Sequence, residues 1–185
     1  FSVNGSSWAE MLVESIRWKV EPFEVEKIKL KSESDSDVTI GPYGELKEVP
    51  AIKDGEYYYQ SYHPPSSRTR LLAPIKANGN ISIKEALMEM KEDKNLEFIS
   101  PAVSDHVHFQ SISEEGERLN IKLTHGEWKD EQEVLTTVDS ILMTARQFGF
   151  EEVVFNGVQF QPFPAYDLSE PIKVPEQINS IIINK

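Results

Sequence analysis

The sequence predicts an α+β fold: helices packed on a small β-sheet, with one partial and one complete copy of a repeated unit. Three observations predict it. Helix-period apolar stripes run within a few residues into strand-prone stretches, as in "VDSILMTARQFGFEEVVF" at residues 138–155. The segment "DHVHFQSISEEGERLNIKLTH" alternates apolar and polar residues on both sides of a turn, as a hairpin does. Finally, a shift of 125 positions overlays two helix-strand stretches without a gap.

The elements follow in chain order. A first helix is expected over about residues 8–20, with Trp8, Met11, Leu12, Ser15, Ile16 and Lys19 along one stripe. Ser7 and Glu10 have the spacing of a capping box, and Pro22 stops the helix. Val25, Ile28 and Leu30 supply a strand. The polar run "SESDSD" reads as a hairpin loop, and "VTI" as the returning strand before the turn "GPYG". "EYYYQSY" is strongly strand-prone, and "RLLAPIK" follows as another short strand. Ser82 and Glu85 form a second capping box, opening a helix that turns Ala86, Leu87 and Met90 inward. The hairpin comes next. Asp130 then caps a third helix whose apolar face is Val134, Leu135, Val138, Ile141, Leu142, Ala145 and Phe148. Gly149 ends that helix, "FEEVVF" is the next strand, and the proline-rich tail packs as extended chain.

In the overlay, Val13, Ser15, Ile16, Phe23 and Glu26 meet identical residues at 138, 140, 141, 148 and 151. The same shift carries Val49-Pro50 onto Val174-Pro175. The second copy is preceded by strands, a helix and a hairpin; the first is not. Residues 1–54 therefore read as the C-terminal half of one unit and 55–185 as a complete second one. The front half of the first is expected upstream of Phe1, in a longer polypeptide that also carries any targeting or anchoring segment.

Composition narrows the function. The apolar fraction of 39% and charged fraction of 27% are those of a soluble domain. No run approaches the roughly 18 apolar residues of a membrane span. A formal net charge of -12 disfavours nucleic acid, and "SSRTR" is too small a basic patch to compensate. The chain has no cysteine, which removes disulfides, thiolate metal sites and cysteine nucleophiles.

Candidate chemistry is sparse. His106 and His108 are two apart on a strand, beside Asp105 and across from His125, which is a metal-binding pattern in outline. Solvent-facing strand residues with Val107 and Phe109 turned inward account for it better. Glu33, Asp35 and Asp37 alternate as calcium ligands do, but the positions where an EF-hand needs glycine and glutamate hold Ile40 and Leu46. No nucleophile elbow, phosphate loop or dinucleotide fingerprint is present. No catalytic residue, cofactor or metal is assigned, and enzyme activity is not expected. Trp18, Tyr57, Tyr58, Tyr59 and Trp128 are the candidate contact residues, because aromatic side chains dominate binding hot spots. At least one of the three tyrosines is expected to face outward, since neighbours on a strand alternate faces.

"SIKEALMEMKED", the hairpin and "VDSILMTARQFGFEEVVFNGV" together resemble the GerMN domain of sporulation and spore germination proteins. The "SIRW" helix, "VTIGPYGELKEV" and "PIKVP" are similar to the extracytoplasmic part of anti-sigma factors of the sigma-X type. The resemblance implies an α/β unit without catalytic residues. It implies the outer portion of a single-pass membrane protein from a Gram-positive bacterium, anchored by a span absent from this chain. A separate cytoplasmic region would hold an extracytoplasmic-function sigma factor, so no residue here is assigned a sigma contact. Other partners implied are an extracytoplasmic protein or a second copy of the chain. Two further readings stand beside it: a ring-building sporulation module, and a metal-dependent hydrolase using His106 and His108.

Overall fold

The structure, a computed structural model, describes residues 5–23, 25–31, 38–65, 70–158 and 165–176. The chain divides into two units, Phe1–Lys53 and Asp54–Lys185. The fold is α+β, with helices on small sheets, as the sequence predicts.

In unit 1, α1 (Gly5–Val20) leads into β1 (Lys27–Lys29). The helix starts two residues before Ser7, so Ser7 is not its cap; the Ser7 side chain lies outside the described residues. The buried face also differs from the expected stripe. Ala9, Val13 and Arg17 are buried, whereas Trp8 is 59% and Met11 69% exposed. The largest apolar side chains do not mark the buried face; the small Ala9 and Val13 and the hydrogen-bonded Arg17 seat this helix.

The strand pairing corrects a second expectation. β1 pairs antiparallel with β4 (Glu48–Pro50), while β2 (Val38–Thr39) pairs with β3 (Glu45–Leu46) around the turn at 41–44. No hairpin therefore joins β1 to β2. Glu33, Asp35 and Asp37 of the intervening run lie outside the described residues. Arg17 ties α1 to β4: its Nε and Nη2 donate to the Pro50 and Ala51 carbonyls, both at 3.1 Å, and Nη1 pairs with Glu14 at 2.9 Å.

Unit 2 contains two sheets. One has the order β6 (Leu71–Lys76), β5 (Tyr57–Tyr62), β7 (Ile99–Ser100). The other has the order β11 (Ile172–Lys173), β10 (Glu152–Asn156), β9 (Arg118–His125), β8 (Val107–Glu115). The β8–β9 hairpin forms as expected. A bulge between Phe109 and Ser111 changes the alternation, so that Phe109 and Ile112 both pack on the core although three positions apart. α2 (Ile83–Glu89) opens with the full Ser82–Glu85 capping box and buries Ala86 and Leu87, with Met90 beyond them.

α3 (Glu131–Gln147) is capped by Asp130, whose carboxylate accepts from the Glu133 N–H at 2.8 Å. It carries the chain from β9 to the parallel strand β10, and packs against β5 and β10. Val134, Val138, Ile141, Leu142 and Ala145 form its apolar face. The helix is buried well beyond that face, because Thr136, Thr137, Ser140, Thr144 and Gln147 are buried too. Thr144 shows why polar residues are tolerated. Its hydroxyl accepts from the Tyr59 N–H at 3.1 Å, a backbone donor that faces the helix.

The two helix-strand units share a plan: helix, strand, then an antiparallel return strand. The register refines the overlay. Ile28 pairs with Val49, but its counterpart Val153 pairs with Ile172. The 125-position shift thus holds through the helix and first strand. In the return strand the partner lies two residues earlier than Val174, a slip that keeps each side chain on its face.

A polar pocket at the start of the third helix

β5 brings Ser61 and His63 to one end of its sheet, and β7 brings Ser100 opposite. The pairing sets Ser61 beside Ser100, and the His63 N–H donates to the Phe98 carbonyl at 2.8 Å. Both hydroxyls converge on one ring nitrogen: His63 Nε2 lies 3.3 Å from Ser61 Oγ and 3.1 Å from Ser100 Oγ. After β7 the chain is held under α3, with the Ala102 and Val103 N–H groups donating to the Met90 carbonyl. The Thr137 hydroxyl donates to the Ala102 carbonyl at 3.2 Å.

Glu133 closes the arrangement. It is buried, and both carboxylate oxygens are engaged: one accepts from the Ser104 hydroxyl, the other from the Lys129 N–H at 2.8 Å. A buried carboxylate without such donors would be costly. On its other side, His106 Nε2 is 3.8 Å from Glu133 Oε2. The His106 ring stands edge-on to Trp128 at 5.6 Å, and His125 lies against the same indole at 4.7 Å. His106 Nε2 and Trp128 Nε1 are buried polar atoms with no hydrogen-bond partner.

Ser61, His63, Ser100, Ser104 and Glu133 line an open cavity of about 180 Å³, together with Arg70, Lys129 and Asp130. Burial first, and then the charge of Arg70, hold the His63 imidazole below its ordinary value of 6.5. The unfolded chain therefore takes up this proton more readily than the folded one. Stability from His63 is present above the ordinary value and falls away as pH drops through it toward the folded value. Melting curves from about pH 7.5 to about pH 5 are expected to show a steeper loss for the wild type than for His63→Gln. Parallel slopes would remove this reading of His63.

Two hydroxyls share His63, but among the described residues no carboxylate hydrogen-bonds the ring, so it lacks the orienting acid of a nucleophilic triad. Among the described residues there is no group of three His, Cys, Asp or Glu side chains placed to hold a metal ion. The expected histidine pair separates: His106 sits just before β8, half-buried beside Trp128, while His108 is exposed on the strand.

The aromatic candidates separate as well. Tyr57, Tyr58 and Tyr59 are 4%, 3% and 1% exposed, which corrects the expectation that one faces outward. β5 is the central strand of its sheet, and every residue from Tyr57 to Ser61 is buried, so neither face is open. These tyrosines are core residues and not a contact surface. Trp18 and Trp128 are half-buried. Ser61, His63, Ser100, Ser104 and Glu133 form no sequence motif because no fixed spacing joins them; the fold brings them together.

This architecture is that of GerMN domains: the tandem GerMN domains of the sporulation protein GerM from Bacillus subtilis superpose with a TM-score of 0.64. That match covers 92% of this chain and 69% of the other at 16% identity, and the likeness is one of fold. In sequence, the chain is similar to the anti-sigma-X factor RsiX of Bacillus subtilis (strain 168), 29% identical over 177 residues. The alignment takes in 95% of this chain and 46% of RsiX, so the chain spans about half the length of that curated relative. Both parts of the resemblance read from the sequence thus hold. No protein-family model matches the chain.

Proposed function

We propose that this chain is the extracytoplasmic, non-enzymatic regulatory region of a membrane-anchored anti-sigma factor, working by protein-protein contact. The observation that carries the reading is the similarity to RsiX along 95% of the chain. On this reading a part of the full-length protein outside the chain holds an extracytoplasmic-function sigma factor. Residues 1–54 are then the back half of one GerMN-like unit and 55–185 a complete one. Trp18 and Trp128 remain candidate contact residues, joined in unit 1 by the exposed Trp8, Met11 and Phe23. Among the described residues no helix is long and apolar enough to cross a membrane; on this reading the anchor lies elsewhere in the full-length protein.

Topology tests the reading. Protease added to intact protoplasts that carry the full-length protein is expected to remove this region while a cytoplasmic marker stays whole. Protection of the region until the membrane is lysed would sink it. The likeness of fold to a sporulation protein supports a second reading, an assembly module. Light scattering separates the two, since an assembly module gains mass with concentration and a regulatory monomer does not.

A further inference from the structure

We propose that the pocket at the start of α3 binds a small zwitterion, a free α-amino acid. The inference is independent of the anti-sigma reading. The cavity of about 180 Å³ is smaller than the roughly 300–1,000 Å³ pockets that take drug-sized ligands, and it suits a group of amino-acid size. Its lining carries both signs of charge in balance: Arg70 and Lys129 against Asp130 and Glu133, with His63 held toward its neutral form.

The cations are the telling part. The chain carries 31 acidic residues, yet among the described residues neither the Arg70 guanidinium nor the Lys129 ammonium is in an ion pair. Both are free to receive a carboxylate, Arg70 through its planar fork of donors. The carboxylates differ. Glu133 uses its two oxygens on Ser104 and the Lys129 N–H, and Asp130 uses one to cap the helix, which leaves acceptor capacity on both for an ammonium group. A lone anion would meet Asp130 and Glu133, and a lone cation would meet Arg70 and Lys129. A zwitterion answers both pairs. The Ser61 and Ser100 hydroxyls, set on paired strands, supply neutral hydrogen bonds whose direction adapts to the ligand.

The test uses the whole chain, labelled with nitrogen-15, titrated with L-alanine, L-serine, L-glutamate and L-lysine to about 10 mM, with acetate and ethylammonium as single-charge controls. Expected is a saturable shift of the Ser61, Ser100 and Lys129 amides with at least one amino acid, and none with either control. Arg70→Gln and Lys129→Gln replace exposed side chains that are in no ion pair, so both variants are expected to fold, and each to weaken binding about tenfold. The proposal is overturned by the absence of a saturable shift with all four amino acids. It is equally overturned by acetate or ethylammonium binding as well as they do, or by unchanged binding in both variants.

Discussion

Gly157→Ala is expected to destabilise unit 2 by about 3–5 kcal/mol, a large part of the stability of a typical domain. Gly157 follows β10 at φ +85°, where a side chain is already strained. A β-carbon there would fall 2.1 Å from the Leu123 carbonyl oxygen, on the neighbouring parallel strand. That oxygen belongs to the backbone of β9 in the middle of its sheet, so relief requires the β9–β10 ladder to move. Gly116 is the control. It also has positive φ, +60°, but nothing lies within 4 Å of the added carbon. Gly116→Ala is expected to cost only the strain, about 1 kcal/mol. Urea denaturation of both variants measures the difference. Equal costs would mean that the approach of Gly157 to Leu123 contributes nothing.

The second large effect is expected at Arg17. Its counterpart in the repeated unit is Leu142, a core residue with no polar duty. Arg17 is only 5% exposed and donates to two carbonyls of the return strand. Arg17→Ala removes those bonds, the Glu14 pair and the packing of the side-chain stem, at about 2–4 kcal/mol. Among the described residues of unit 1, the buried apolar cluster is small, formed by Ala9, Val13, Ile40 and Val49. Arg17→Lys is expected to restore little, because one ammonium does not reproduce a fork directed at two acceptors. Hydrogen exchange reads the outcome directly. The amides of the β1–β4 ladder lose protection in both variants if Arg17 fastens α1 to β4, and retain it if the ion pair is only superficial.

Arg17 also illustrates what the chain's pattern reveals and what it conceals. The third helix was legible because its buried face is built from aliphatic residues at helical spacing, bounded by an aspartate cap and a glycine. The buried face of the first helix is not legible in the same way. Ala9 is small and Arg17 is charged, so a hydrophobic stripe passes them by in favour of Trp8 and Met11. The burial of Tyr57, Tyr58 and Tyr59 is hidden in the sequence for a related reason. Alternation gives an outward face only where a sheet has one, and the burial of β5 is decided by elements that come later in the chain. The β1–β4 pairing was hidden because the polar run after Lys31 looks like a hairpin loop, whereas the tight turn comes at Gly41–Gly44. Of the pocket, only Asp130 was legible, through its cap position. Serines, a histidine and a glutamate scattered from residue 61 to residue 133 form no motif until two strands and a helix converge.

The most direct measurement of the proposed regulatory role is transcription from a promoter that depends on the sigma factor which that reading assigns to the full-length protein. Two strains are compared, one with the full-length gene and one with residues 1–185 of this chain removed in frame, at matched protein levels. Regulation through this region is expected to show as a several-fold change in reporter output when it is deleted. Identical output from the two strains, both at rest and under envelope stress, would contradict a regulatory role for the region.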